Sequence, residues 1–319
     1  ELRLTKGVNT MAPKYEHGLL FYHEHSGLQN IHEGIGEVTV ALSQLCKRLS
    51  IQLSENEGDI ERYCKTIKDG NNVEYIDVLF ILGGDGTVNE LVNGVLKHEL
   101  HIPIGVIPGG TFNDFAKTLN LTNKAGEASH DLLVATPQTY DVMKVNERYA
   151  LNFAGIGLMV QNAENVKGKS KDLFGKLSYI SSTFKTITNP EHFKYTLEID
   201  GQSYSGETSM LLFANGRFIG GGKIPLTDMS PSDGVLNTFI FNNYSMSILK
   251  DIFSLRDSMT WNEISDNIQH ISSHTIKITT DPEMRVDIDG EIDMTTPTTI
   301  EIIPNAIQLL TAPPAENNQ

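Results

Sequence analysis

The chain is predicted to fold as a doubly wound α/β domain followed by an antiparallel β-sandwich. Three observations carry this reading. As far as about residue 140, short apolar runs alternate with segments of helical periodicity, the pattern of parallel strands buried between helix layers. Two glycine-rich turns, at Gly83–Gly86 and Gly109–Gly110, each stand between such an apolar run and such a helical segment. Beyond Tyr140 helices thin out and period-two runs punctuated by Asp-Gly turns take over, as in all-β sandwiches.

Residues 1–14 show no period and read as an irregular extension. Leu19–Tyr22 is the first buried strand, and Val38, Leu42, Leu45 and Leu49 form one stripe at helical spacing. Ile51–Leu53 follows as a strand and Gly58–Ile67 as a helix. Val78–Leu82 is uniformly apolar but too short for a buried helix, hence a strand. The first glycine turn leads into a helix over Thr87–Leu96. Ile104–Ile107 is the next strand and Phe112–Leu119 the helix after the second turn. In the second half, strands are expected at Phe193–Ile199, Glu207–Ala214, Val235–Phe241, His274–Ile278 and Arg285–Ile288. Asp200-Gly201, Asp233-Gly234 and Asp289-Gly290 mark turns among them. The α/β domain is thus placed at residues 15–141 and the β-domain at 142–299.

With 319 residues, 39% of them hydrophobic, the chain can bury two cores. A formal charge of −15 counts against nucleic acid as a partner, since that binding needs Lys and Arg against phosphates. It also opposes unspecific adhesion to an anionic membrane. No apolar stretch approaches the ~18 residues of a membrane span, and no secretory leader is seen, so a cytoplasmic location is expected. Cys46 and Cys64, both in segments read as helices, are expected to remain reduced thiols rather than form a disulfide or a zinc site.

The two turns suggest phosphate chemistry. A strand–glycine turn–helix unit presents bare backbone N–H groups at a helix start, where an anion is favoured. Glycine lets a ligand approach the backbone closely, and Asp85 supplies a carboxylate able to hold Mg²⁺. No GxxxxGK[ST] occurs, and Gly83-Gly84-Asp85-Gly86 lacks the dinucleotide GxGxxG spacing. Taken singly, either turn is also compatible with a tight connection, with Thr87 and Thr111 as helix caps and Asp85 as a turn residue. Two such turns one βα unit apart, each followed by Thr and Asn, point to nucleotide phosphate.

The segments Gly83–Glu90 (GGDGTVNE) and Ile107–Ala116 (IPGGTFNDFA) resemble the diacylglycerol kinase catalytic family of bacterial lipid kinases and sphingosine kinases. The GGDG element is shared more widely, with 6-phosphofructokinases and NAD kinases. Asn215–Gly222 resembles the family's glycine-rich strand end, Ser230–Leu236 its Ser-x-x-Asp-Gly metal turn, and Ile288–Glu291 its IDGE segment. This resemblance, over residues 15–312, implies a phosphofructokinase/NAD-kinase-like nucleotide domain, a β-sandwich for the lipid, and an active site in the cleft between them. It implies that Ile300–Leu310, within 300–319, returns to the first domain.

The resemblance further implies ATP and Mg²⁺ as cofactors. Glu291 would be the general base for the lipid hydroxyl and Asp85 part of the Mg²⁺–phosphate site. The nucleotide cradle is expected from Ser26, Gly27, Ser54, Gly83, Gly84, Gly86, Thr87, Asn89, Gly110, Thr111, Asn113 and Asp114. Ser230, Asp233 and Val235, the last through its carbonyl, are the expected ligands of a structural metal, and an all-oxygen set suits Mg²⁺ or Ca²⁺ rather than zinc. Read locally, the same residues allow a surface hairpin at Asp289–Glu291 and a plain β-turn at Ser230–Gly234.

One departure bears on the nucleotide. The family usually carries Asn-Pro-x-Ser-Gly after the first strand, where this chain has His23-Glu24-His25-Ser26-Gly27. His23 and His25 alternate as a metal pair would, yet without further ligands they read as polar residues at a strand end. Ser54 keeps the hydroxyl where the family often has a nucleotide-contacting Thr. Residues 166–187 combine Lys167, Lys169, Lys171, Lys176 and Lys185 with an apolar stripe. That is a basic amphipathic helix which either rests on a membrane or packs on its own domain. The leading expectation is a kinase acting on a lipid alcohol, diacylglycerol by default, in peripheral contact with the inner membrane face and with a homodimer allowed. The alternatives are another GGDG enzyme of the NAD-kinase kind, against which IPGGTFNDFA and IDGE count, and a non-catalytic nucleotide- or lipid-binding member.

Overall fold

The computed structural model describes residues 12–23, 31–70, 75–158, 160, 191–224, 226, 228–241 and 268–314. Its first half runs β1 (Tyr15–His23), α1 (Ile31–Leu45), β2 (Cys46–Ser54), α2 (Asp59–Asp69), β3 (Val78–Gly83), α3 (Asp85–Lys97), β4 (Ile104–Pro108), α4 (Asp114–Thr118) and α5 (Ala125–Val134). These four strands are parallel in the order β2-β1-β3-β4. The chain steps one way from β1 to β2 and back across to β3. Because such crossovers are right-handed, α1 covers one face and α2 and α3 the other. Side-chain packing follows suit, with α1 against α5 and α2 against α3. Every residue of β3 and β4 is buried, which is why these segments read as unbroken apolar runs.

Two boundaries differ from expectation. Val38, Leu42 and Leu45 lie on α1, but Leu49 does not continue the stripe: α1 ends at Leu45 and β2 starts at the next residue. No glycine or proline marks the change, so the 3.6-residue spacing ran into the strand by coincidence. Cys46 therefore opens a strand, while Cys64 lies in α2. Both cysteines are free and buried, and burial pushes each thiol up to about 12, leaving it chemically quiet. The helix after the second glycine turn is also shorter than Phe112–Leu119, starting only at Asp114.

The second half contributes β5 (Thr136–Val145), β6 (Arg148–Ala150), β7 (Phe153–Gly157), β8 (Phe193–Ile199), β9 (Gln202–Thr208), β10 (Met210–Ala214), β11 (Phe218–Ile219), β12 (Gly222–Lys223), β13 (Leu236–Phe241), β14 (Ile268–Ser273), β15 (Thr275–Asp281), β16 (Arg285–Ile288), β17 (Glu291–Thr295) and β18 (Thr298–Thr311). One sheet is antiparallel in the order β14-β13-β10-β7-β16-β17. The facing sheet is continuous with the first half. The first part of β18 pairs antiparallel with β15 and β5, and its last part joins β4 in parallel through Leu309 opposite Ile104. Its register breaks between Ile303 and Ile307. Ile300 and Ile302 belong to the core between the two sheets, Ile307 and Leu309 to the core beneath the helices. The two halves are thus stitched by one strand rather than merely tethered.

The basic segment 166–187, like Ser26 and Gly27, lies outside the described residues. Among the described residues, no helix is long and apolar enough to cross a membrane.

Candidate active site

Strand order reverses between β1 and β3, and the crevice beyond the carboxyl ends at such a point is where open α/β sheets hold ligands. A cleft of about 430 Å³ lies there. His23 from the end of β1, Ser54 from the end of β2, and Gly86, Thr87 and Asn89 from α3 line it, and Glu291 reaches it from the sandwich. The β5–β6 turn, Glu147–Tyr149, closes one side. Five residues expected at the site, drawn from both halves, therefore share one cleft.

The glycines divide into two kinds. Gly109 donates its N–H to the Gly83 carbonyl at 2.9 Å, and a Cβ on Gly110 would stand 2.6 Å from the Gly84 Cα. The two turns touch backbone to backbone, and that contact excludes side chains from both. The Gly110 N–H is also engaged, donating to Asn113 Oδ1 at 2.8 Å, while Asn113 Nδ2 donates to the Gly110 carbonyl at 2.9 Å. Gly83, Gly84, Asp85, Gly110, Thr111, Asn113 and Asp114 stand behind the lining of this cleft. Gly86 is the other kind. It is exposed in the cleft, and a Cβ there would meet nothing within 4 Å.

Neither Thr87 nor Thr111 caps a helix: the cap positions are Gly84 and Asn113. The first backbone bond of α3 runs from Val88 N–H to the Gly84 carbonyl at 3.0 Å. The N–H groups of Asp85, Gly86 and Thr87 are left without an intrahelical acceptor at the cleft floor. Beside them, Asp85 faces the start of α4, where the Phe115 N–H approaches its Oδ1 at 3.4 Å. Asp114 is buried, accepts the Gly221 N–H at 3.0 Å and pairs with Lys117 at 3.2 Å. Burial first, and then the charge of Asp114, push Asp85 up from the usual carboxylate range. Burial pushes Asp114 up as well, against the pull of Lys117. A hard divalent cation would offset the charge gathered here, and two carboxylates are donors of the right kind for Mg²⁺.

Asn89 does something the motif did not suggest. Its Nδ2 donates to Asp289 Oδ2 at 2.8 Å and to the Tyr149 carbonyl at 3.1 Å, which uses both amide hydrogens. Asp289 also accepts the N–H groups of Leu151, Asn152 and Phe153 at 2.7, 3.0 and 2.9 Å. Asn93, one turn further along α3, exchanges bonds with the Tyr149 backbone at 2.9 and 3.0 Å. The amide of Asn89 thus clasps the sandwich to α3. Asp289 and Gly290, with φ of 48° and 93°, then turn the chain so that Glu291 begins β17 at the cleft.

At the expected metal turn, Asp233 accepts the N–H groups of Ser230 and Val235 at 3.0 and 2.9 Å, and Ser230 Oγ accepts that of Ser232 at 3.3 Å. Each carboxylate oxygen keeps a second lone pair. Among the described residues no group of three or more His, Cys, Asp or Glu gathers. The turn's oxygens fit a cation that keeps most of its water, as Mg²⁺ does, and not one needing a full protein cage. Asp141, which the sequence did not single out, anchors this turn by accepting the N–H groups of Gly234 at 2.6 Å and Asn305 at 2.8 Å. Glu90 is a second residue missed, and it shapes the cleft itself. Both act on partners far away in sequence, so no local pattern announces them.

Residues 17–145 match the diacylglycerol kinase catalytic domain, and residues 153–311 match the YegS C-terminal NAD kinase beta sandwich-like domain. The chain belongs to the diacylglycerol kinase catalytic-domain family. Proteins named "Putative lipid kinase" in Staphylococcus aureus strains Mu3 and Newman are 65% identical over 301 residues, covering 94% of this chain and 99% of theirs. A diacylglycerol kinase structure from Bacillus anthracis superposes with a TM-score of 0.79 at 29% identity, covering 93% of this chain and 98% of that one. A second structure from the same organism gives 0.83 at 30% identity, covering 95% and 99%. The similarity extends through both halves of the chain.

Proposed function

We propose that this protein is an ATP- and Mg²⁺-dependent lipid kinase that transfers the γ-phosphate to the hydroxyl of diacylglycerol, giving phosphatidic acid at the membrane surface. Gly86 is the observation that carries the nucleotide. Its backbone is helical and its Cβ position is open space, so nothing in the fold calls for glycine there. A ligand that must come closer to the helix start than a methyl group allows does call for it. The N–H groups of Asp85, Gly86 and Thr87 suit phosphate oxygens.

Glu291 takes the proton of the lipid hydroxyl, the oxygen bonds to the γ-phosphorus, and the bond from that phosphorus to the β,γ-bridging oxygen breaks to release ADP. Among the described residues, five glutamates and two cations, Lys97 and Arg148, line the cleft, and Lys97 is paired with Glu61. The charge of the triphosphate calls for a counter-charge at this acidic wall. Mg²⁺, held through Asp85 with Asp114 beside it, would supply that neutralisation.

The direct test is transfer of labelled γ-phosphate from ATP to a panel of lipid alcohols in mixed micelles, with NAD and a sugar phosphate as controls. Label in diacylglycerol is the expected result. Label in NAD alone, or Mg²⁺-ATP binding without transfer to any acceptor, would replace this reading with one of its rivals. Gly86→Ala adds a sharper arm. It should leave thermal stability unchanged or raise it by roughly 0.5–1 kcal/mol, because alanine is the better helix former. The KM for ATP should nevertheless rise about tenfold or more, as a lost hydrogen bond or two would give. An unaltered KM would remove the phosphate from this helix start.

A further inference from the structure

We propose that Glu90 is a positioning residue for the nucleotide, acting through the loop Ser54–Gly58, which it fastens to α3. The inference rests on the reading of the cleft as a nucleotide site. The helix α2 begins behind Gly58, at φ 86°, and has no side-chain cap of its own. Its first donors are satisfied instead from another element: Glu90 Oε1 accepts the N–H of Gly58 at 2.9 Å and that of Ile60 at 3.1 Å. A carboxylate accepting two N–H groups at a helix start is a charge-assisted arrangement favoured by the helix dipole.

This cap fixes more than the helix. Asp59 Oδ2 accepts the N–H groups of Glu55 and Asn56 at 3.0 and 2.7 Å, so the loop is wound tightly onto the start of α2 and moves with it. Ser54, Asn56 and Gly58 form one wall of the cleft, and Gly86 and Thr87 lie on another. Glu90 is one helical turn beyond Gly86 on α3, so its side chain ties the loop directly to the phosphate-binding turn, at the end of a helix pair that packs closely where Gly94 meets Glu61 and Cys64. The ion pair between these helices, Lys97 with Glu61, is exposed on the lysine side and holds little. Glu90 also fills the start of α2 with a protein carboxylate. The anion-binding character of that helix is thereby used up, and a phosphate is directed to the start of α3 alone.

Three substitutions separate this role from its rivals. Glu90→Gln keeps an oxygen at Oε1. Glu90→Asp keeps the charge but draws the oxygen back by one methylene. Glu90→Ala removes both. Amide exchange over residues 55–60 is read by mass spectrometry, alongside steady-state kinetics for ATP and lipid. In the alanine and aspartate variants, exchange in this segment should accelerate, and the KM for ATP should rise about tenfold. Their kcat and KM for lipid should stay within about threefold of the parent values, and the glutamine variant should restore both exchange and KM.

Faster exchange with an unchanged KM for ATP would reduce Glu90 to a structural cap and overturn the proposal. So would a glutamine variant with slow exchange but a raised KM, which would mean that the charge itself meets the nucleotide. A parent enzyme that phosphorylates no lipid from ATP would overturn the proposed function, and this inference with it. The exchange measurement, which needs no turnover, keeps that outcome distinct from failure of the clamp.

Discussion

Replacement of Glu291 by glutamine is expected to lower kcat by about 10²–10⁴-fold, the usual contribution of a positioned general base. ATP binding and the melting temperature should stay near those of the parent. The expectation follows from where Glu291 sits. It begins β17 opposite Ile288, and the turn before it is held by the Gly290 N–H donating to Asp287 Oδ1 at 2.7 Å. Glutamine has the same shape, so the strand pairing and the turn are kept. The loss should therefore fall on proton removal and leave nucleotide binding alone. Stopped-flow or quenched single-turnover assays at saturating ATP would show this directly. Turnover within a few-fold of the parent would end the assignment of Glu291 as base.

The glycine turns and the IDGE segment were legible because each is contiguous and its residue types are constrained by backbone geometry. The parallel strands were legible because burial on both faces makes them continuous apolar runs, as Val78–Gly83 is. What the sequence concealed was non-local. Asn89 reads as a phosphate ligand from its place in the motif, yet its hydrogens go to Asp289 and Tyr149. Gly84 and Gly110 read as phosphate glycines, yet their bareness is required by the contact of one turn with the other, and that of Gly83 by the Thr87 side chain. The boundary at Leu45–Cys46 was hidden because β2 is an edge strand with mixed exposure, so Leu49 matched a helical period by chance. The return of Ile300–Leu310 to the first domain was implied by the family resemblance, and the register break of β18 falls at Pro304-Asn305, the pair that cannot continue a regular ladder.

Asp289→Ala is expected to be strongly damaging to the fold, costing about 3 kcal/mol or more, because it strands several buried donors at once. The carboxylate is 4% exposed and accepts four hydrogen bonds, three from the consecutive backbone N–H groups of Leu151, Asn152 and Phe153 and one from Asn89. Burial pushes its pKa up, while those donors pull the other way. Alanine would leave all four donors facing a gap, and each buried unsatisfied group costs about 1–3 kcal/mol unless water enters. Asn89→Ala should cost less, about 1–2 kcal/mol, because the three backbone donors stay in place. The two substitutions should not fully add: the bond they share is lost in each, giving a coupling of about 1 kcal/mol, while the bond from Asn89 to the Tyr149 carbonyl is lost only with Asn89. Denaturant unfolding of the four proteins measures this cycle. Against a typical stability of about 5–15 kcal/mol, the Asp289 variant would lose a large share of the total. Additive effects would mean that the clasp between α3 and the IDGE turn carries no coupling, and Glu291 would then owe its place in the cleft to β16 and β17 alone.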